Sequence, residues 1–170
     1  MTFGHAAIGL AIARAYERDT PVQNNLVRAA LFVSGALLPD IDFIVFPGPG
    51  VSMFAHRGVT HSLFTAFLVG VLAFVIGRKQ GVPSPGRLLV FVATVVGSHP
   101  IADLATTRGR GVALFWPFTS MRFDVIGLVR AAPFPPELWL ADFWSEGVWE
   151  IAFSVPLVAY ALLPPRTPSS

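Results

Sequence analysis

The chain has no cysteine, only four histidines, and charged residues at just 13% of its 170 positions. Without thiols there can be neither disulfides nor thiolate metal sites, so any metal must be held by His, Asp or Glu. The charged share is about half that of a typical soluble protein, and 54% of residues are hydrophobic, Phe alone taking 15 positions. That is a membrane composition. No Lys/Arg run exceeds two residues, so the formal charge of +2 and the pI of 9.7 do not describe a nucleic-acid scaffold, and no nucleic-acid partner is expected. The N-terminus has no basic stretch ahead of its apolar part and no small-residue cleavage signature, and it reads as mature sequence. There are no internal repeats.

At this length one domain is expected. The apolar runs make it an all-α integral membrane bundle over residues 1–164, with a flexible Pro-rich tail at 165–170. The clearest spanning candidate is Val59–Gly77, nineteen residues without Asp, Glu, Lys or Arg, close to the ~20 that a bilayer requires. A second runs from Leu88 to about Thr106. A third begins near Leu26 and is interrupted by Pro39, Asp40 and Asp42, and a fourth covers Val148–Leu163 with Pro156 inside it. About four transmembrane helices are therefore expected, with a half-length helix at Phe3–Tyr16 beside them and an interfacial segment between Thr107 and Gly147. Gly48, Pro49 and Gly50 read as a turn.

One arrangement puts Arg14, Arg18, Arg28, Arg78, Lys79, Arg87 and Arg166 on the same side of the membrane, which the positive-inside tendency makes cytoplasmic. A multi-pass inner-membrane protein with a cytoplasmic C-terminus follows. Arg57, Arg108, Arg110, Arg122 and Arg130 fall on the outer side, against the tendency. The tryptophans Trp116, Trp139, Trp144 and Trp149 lie in or beside the outer segment, at the headgroup level such rings favour.

On this map the scattered polar residues gather at one depth. His5 opens the first helix, Asp40 and Asp42 follow the second, His56 and His61 precede the third, and His99 and Asp103 end the fourth. Every histidine in the chain is among them. Ionisable groups in a bilayer are costly, so seven at one level require a shared compensation. His99 and Asp103 are four apart and share a helix face. Asp40 and Asp42 would diverge on a regular helix, so Pro39 is expected to end it there, with one Asp a ligand and the other a cap or orienting group. His56 and His61 would also diverge unless His56 belongs to the preceding loop; Thr60 and Ser62 are then capping or supporting groups.

A His/Asp donor set without sulfur suits one or two Zn ions, with Mn or Fe as alternatives. Such a metal lowers the pKa of bound water toward ~7. Arg57, Arg108 and Arg110 can fork onto phosphate oxygens. The bland readings are that single residues satisfy helix partners, that His99 and Asp103 only bond each other, and that the loop arginines meet lipid headgroups.

The order Gly4–His5, "LLPDIDF" (37–43), "HRGVTHSL" (56–63) and "SHPIADLATTRGRGVALFWPF" (98–118) resembles the YdjM-type inner-membrane metal-dependent hydrolases. That family is remotely similar to zinc-dependent phospholipases C and single-strand nucleases. The resemblance implies His5, Asp40 or Asp42, His56 or His61, His99 and Asp103 as metal ligands. Both histidines and Asp40 are taken as ligands here, with Asp42 as ligand, supporting group or general base and Arg57 as the substrate phosphate contact. The expected activity is hydrolysis of a phosphoester or phospholipid-like substrate at the outer, periplasmic face. Besides membrane lipids, two further function classes stay open: a non-catalytic subunit of a larger membrane protein complex, and a transporter.

Overall fold

The computed structural model describes residues 2–18, 20, 22, 24–45, 53–105, 111–124 and 141–164, of which 141–146 are described by backbone alone. Arg108, Arg110, Arg130, Trp139, the Gly48–Gly50 turn and the 165–170 tail lie outside the described residues, as do the side chain of Trp144 and most of the interfacial segment. The described chain forms helices α1 (Thr2–Ala15), α2 (Asn25–Leu37), α3 (Asp42–Val45), α4 (Leu63–Lys79), α5 (Pro85–Asp103) and α6 (Ala141–Ala161), with 3-10 turns at Leu38–Ile41 and Val59–His61. An all-helical architecture is what the apolar runs imply. Among the described residues one helix, α5, is long and apolar enough to cross a membrane.

Local sequence sets the boundaries. Asn24 caps α2 by accepting from the amides of Leu26 and Val27 at 2.9 and 3.0 Å. Pro39 stops α2 as expected, and the chain tightens into the 3-10 turn that holds Asp40. The apolar run Val59–Gly77 is not one helix. Its first three residues form a 3-10 turn, and α4 starts only at Leu63, where Ser62 accepts from the amide of Thr65 at 3.0 Å. The run is continuous in hydropathy, but a capping Ser with its hydroxyl bonded to the third residue onward sets the register. Pro100 sits inside α5 without ending it.

Helices α1, α2 and α5 touch one another, with α4 and α6 on their flanks. α4 lies on α5, α5 on α2 and α1, and α1 on both α2 and α6, while α6 packs on α1. The core is small: Ala13, Phe32, Ala36, Ala66, Phe91, Val95 and Val96. Outward faces are apolar as well, with Phe67, Leu72, Val90, Ile101, Ile151 and Val155 all exposed, a surface suited to lipid and not to water. Helices surrounded by lipid gain little from apolar burial, so close approach through small residues carries the packing. A Cβ on Gly9 would lie 2.8 Å from the Phe32 carbonyl oxygen and 2.9 Å from the Val33 Cα. Gly9→Val is therefore expected to force α1 off α2 and cost about 1–3 kcal/mol, seen as a lower melting temperature in detergent.

Candidate metal centre

This packing brings together segments that are far apart in sequence. The start of α1, the turn after α2, the turn before α4 and the end of α5 meet at one end of the bundle, and they carry His5, Asp40 and Asp42, His56 and His61, and His99 and Asp103. All seven sequence-expected donors converge there. Asp42, His5, His61, His99 and Asp103 are buried, while His56 and Asp40 keep 33% and 19% of their side-chain surface, so the cluster opens at His56.

Hydrogen bonding fixes how the rings face. His99 Nδ1 lies 2.6 Å from the Ala36 carbonyl oxygen, and since a carbonyl only accepts, Nδ1 carries the proton and Nε2 a lone pair. Thr60 donates its hydroxyl to Asp42 Oδ2 at 2.7 Å, and His61 Nδ1 lies 3.0 Å from that hydroxyl oxygen and 3.2 Å from the same carboxylate oxygen. His61 Nδ1 is thus a donor too. The two Nε2 lone pairs then face each other at 3.1 Å.

Two carboxylates close the arrangement. Asp40 Oδ1 lies 3.3 Å from His99 Nε2 and 3.5 Å from His61 Nε2; Asp103 Oδ2 lies 3.7 and 3.6 Å from the same two atoms. A tetrahedral Zn with bonds near 2.0–2.1 Å holds its donor atoms about 3.4 Å apart. Five of the six edges of such a set, at 3.1–3.7 Å, are present here. Electron-rich atoms this close repel unless a cation lies among them, so the residues present fit a divalent metal. Two separate triads, His5, His99 and Asp103 on one side and Asp40, His56 and His61 on the other, each offer atoms within 4.8 Å of one another. One ion suits the tetrahedron and two suit the triads.

The surrounding groups hold these donors in place. Asp42 bonds His56 Nδ1 through Oδ1 at 3.0 Å, and its Oδ2 serves Thr60 and His61, an orienting carboxylate behind metal-facing imidazoles. His5 stacks on His99 with ring centroids 3.6 Å apart. Its Nε2 is 3.1 Å from Asp103 Oδ1, and its buried Nδ1 has no hydrogen-bond partner among the described residues. Arg57 is buried, with Nε 3.4 Å from Asp103 Oδ2. Asp40 and Asp42 lie in the short turns beyond α2. Burial opposes the ionisation of Asp42, but hydrogen bonds from His56, His61 and Thr60 outweigh it and hold its carboxyl well below the usual range.

Three contributors were not expected from the sequence. The segment 111–124 returns over the 53–62 loop: the amide of Ala113 donates to the Arg57 carbonyl at 3.0 Å and that of Leu63 to the Leu114 carbonyl at 3.0 Å. Arg122 fastens the same loop through the carbonyls of His56, Arg57 and Gly111 at 3.2–3.4 Å; nothing in the sequence pattern distinguishes it from the other outer arginines. Glu150 is buried on α6 and accepts from the Gly4 amide at 3.0 Å, which secures the turn carrying His5. Its one signal was an acid inside an apolar run.

A family model described as YdjM inner membrane protein matches residues 1–165. The chain belongs to the YdjM inner membrane protein family. The inner membrane protein YbcI of Escherichia coli (strain K12) is 35% identical over 134 residues, covering 76% of this chain and 75% of that protein. No solved structure matches. Family and relative place this chain in the inner membrane, which accounts for the apolar exterior of the bundle and makes the buried His/Asp cluster a costly feature in need of a counter-charge.

Proposed function

We propose that this chain is a membrane-bound, metal-dependent hydrolase of a phosphoester or phospholipid-like substrate, holding one or two Zn ions and working at the outer membrane face. The observation that carries the reading is the pair of imidazole Nε2 atoms facing each other at 3.1 Å, flanked by two carboxylates. A single ion would be held by His61, His99, Asp40 and Asp103; with two, His5, His99 and Asp103 would hold one and Asp40, His56 and His61 the other. A divalent ion there supplies a Lewis acid for a phosphoryl oxygen and a lowered pKa for water. The chain's own residues do the rest. Arg57, fixed beside Asp103, offers a permanent cation to a phosphate oxygen. Asp42, with both oxygens engaged, acts by keeping His56 and His61 aligned. Phe43, Ile44 and Phe54 are exposed near the His56 opening, so an amphipathic substrate could reach the donors without leaving an apolar surface.

The test is elemental mass spectrometry on protein extracted in mild detergent without chelator. One or two equivalents of Zn, Mn or Fe per chain are expected, followed by a phosphoester substrate screen. Absence of metal, even after reconstitution, would sink the hydrolase reading and favour a non-catalytic subunit of a membrane complex. Asp42→Asn should weaken metal binding about 10–100-fold in a chelator competition. Metal retention should also follow pH in one direction: an imidazole must be unprotonated to bind a metal, so metal should be lost on acidification and regained on neutralisation.

A further inference from the structure

At the end of the bundle opposite the His/Asp cluster, α2 and α6 both approach the last turn of α1 and leave a cavity of about 400 Å³ between them, lined by Arg14 and Glu17 from the α1 end, Arg28 from α2, and Val158 and Leu162 from α6. Both arginines are buried. Arg28 donates to the Val22 carbonyl at 3.2 Å and to Asn25 Oδ1 at 2.8 Å. Arg14 is paired with Glu17 and donates to the Pro164 carbonyl, but its Nε is buried without a hydrogen-bond partner among the described residues. Two arginines against one carboxylate leave the cavity positive.

A second cavity, of about 520 Å³ and almost wholly apolar, runs along the α1–α6 seam from Leu162 to Phe3 and shares Leu10, Val158 and Leu162 with the first. From Arg14 to Phe3 is eleven residues of helix, about 16 Å at 1.5 Å per residue, a length over which an extended acyl chain can lie. A positive recess continuous with an apolar groove of that length has the chemistry of a lipid with an anionic head. From this geometry we infer that the chain binds one anionic phospholipid, its phosphate at Arg14 and Arg28 and an acyl chain laid between α1 and α6. The inference stands apart from the metal reading.

The full chain, reconstituted in vesicles of equal phosphatidylglycerol and phosphatidylcholine and then examined by native mass spectrometry, tests it. One phosphatidylglycerol per chain should be retained, about tenfold over phosphatidylcholine. Arg14→Gln with Arg28→Gln should abolish that preference. Ala159→Trp, which fills the groove and leaves both arginines, should abolish retention and decides the matter even if the double variant fails to fold. Arg78→Gln, at the same end but outside the cavity, should change nothing. The metal content of each variant, read from the same samples, should equal that of the wild type. Equal retention of both lipids by the wild type would overturn the inference. So would unchanged binding in Ala159→Trp, or displacement of the lipid by inorganic phosphate.

Discussion

His99→Ala should empty the centre. The substitution removes one of four converging donors and the proton that His99 Nδ1 gives to the Ala36 carbonyl, while Asp40 and Asp103 keep their negative charge in a buried setting. Leaving such charges without their partner costs about 3–5 kcal/mol, so the variant should lose bound metal to below a tenth of the wild-type content and melt earlier, yet still insert. Elemental analysis beside a thermal melt separates the two effects, with Arg78→Gln as a control. Metal at the wild-type level in His99→Ala would rule out the tetrahedral donor set.

An equally large loss is expected from a residue with no side chain to contribute. Gly58 lies in the turn between His56 and His61, directly ahead of the 3-10 turn at Val59–His61. A Cβ there would fall 2.0 Å from the Met53 carbonyl oxygen and 2.7 Å from that of Ala55. Those carbonyls are not free to retreat: Met53 accepts from the Val59 amide at 2.8 Å and Ala55 from the Gly58 amide at 2.9 Å. The preceding residue, Arg57, is held at a positive φ of 64°, which itself costs on the order of 1–2 kcal/mol. Gly58→Ala should therefore dismantle the turn between His56 and His61, cost at least about 3 kcal/mol, and remove metal as completely as loss of a ligand does. A variant with normal metal content and melting temperature would show that the turn is far more pliant than its hydrogen bonds imply.

Much of the centre was legible because its residues break the pattern around them. His5, His61, His99 and Asp103 stand out in apolar runs, and i,i+4 spacing alone puts His99 and Asp103 on one face. Pro39 announced the end of α2. What could not be read was geometry fixed by tertiary contacts. The division of Asp40 and Asp42 into donor and orienting group depends on Thr60 and His56 reaching Asp42, and the tautomer of His99 depends on a backbone carbonyl sixty-three residues away. The start of α4 was misplaced by four residues because hydropathy does not register a serine cap. Arg122 carries no marker in the sequence, since its role lies in three carbonyls that come near it only after the 111–124 segment folds back.

The donors also arrive at very different times. His5 and Asp103 are 98 residues apart, which at the usual pace of synthesis is about 5–20 s. During that interval the first helix carries its histidine beside a membrane that holds no partner for it, and α1 cannot settle against α5 because α5 does not yet exist. The centre is thus closed by nearly the last segment to be made before the 111–124 return, when α5 brings His99 and Asp103 to α1 and His5. On the metal reading proposed above, biogenesis of the bundle and loading of its centre would be one event.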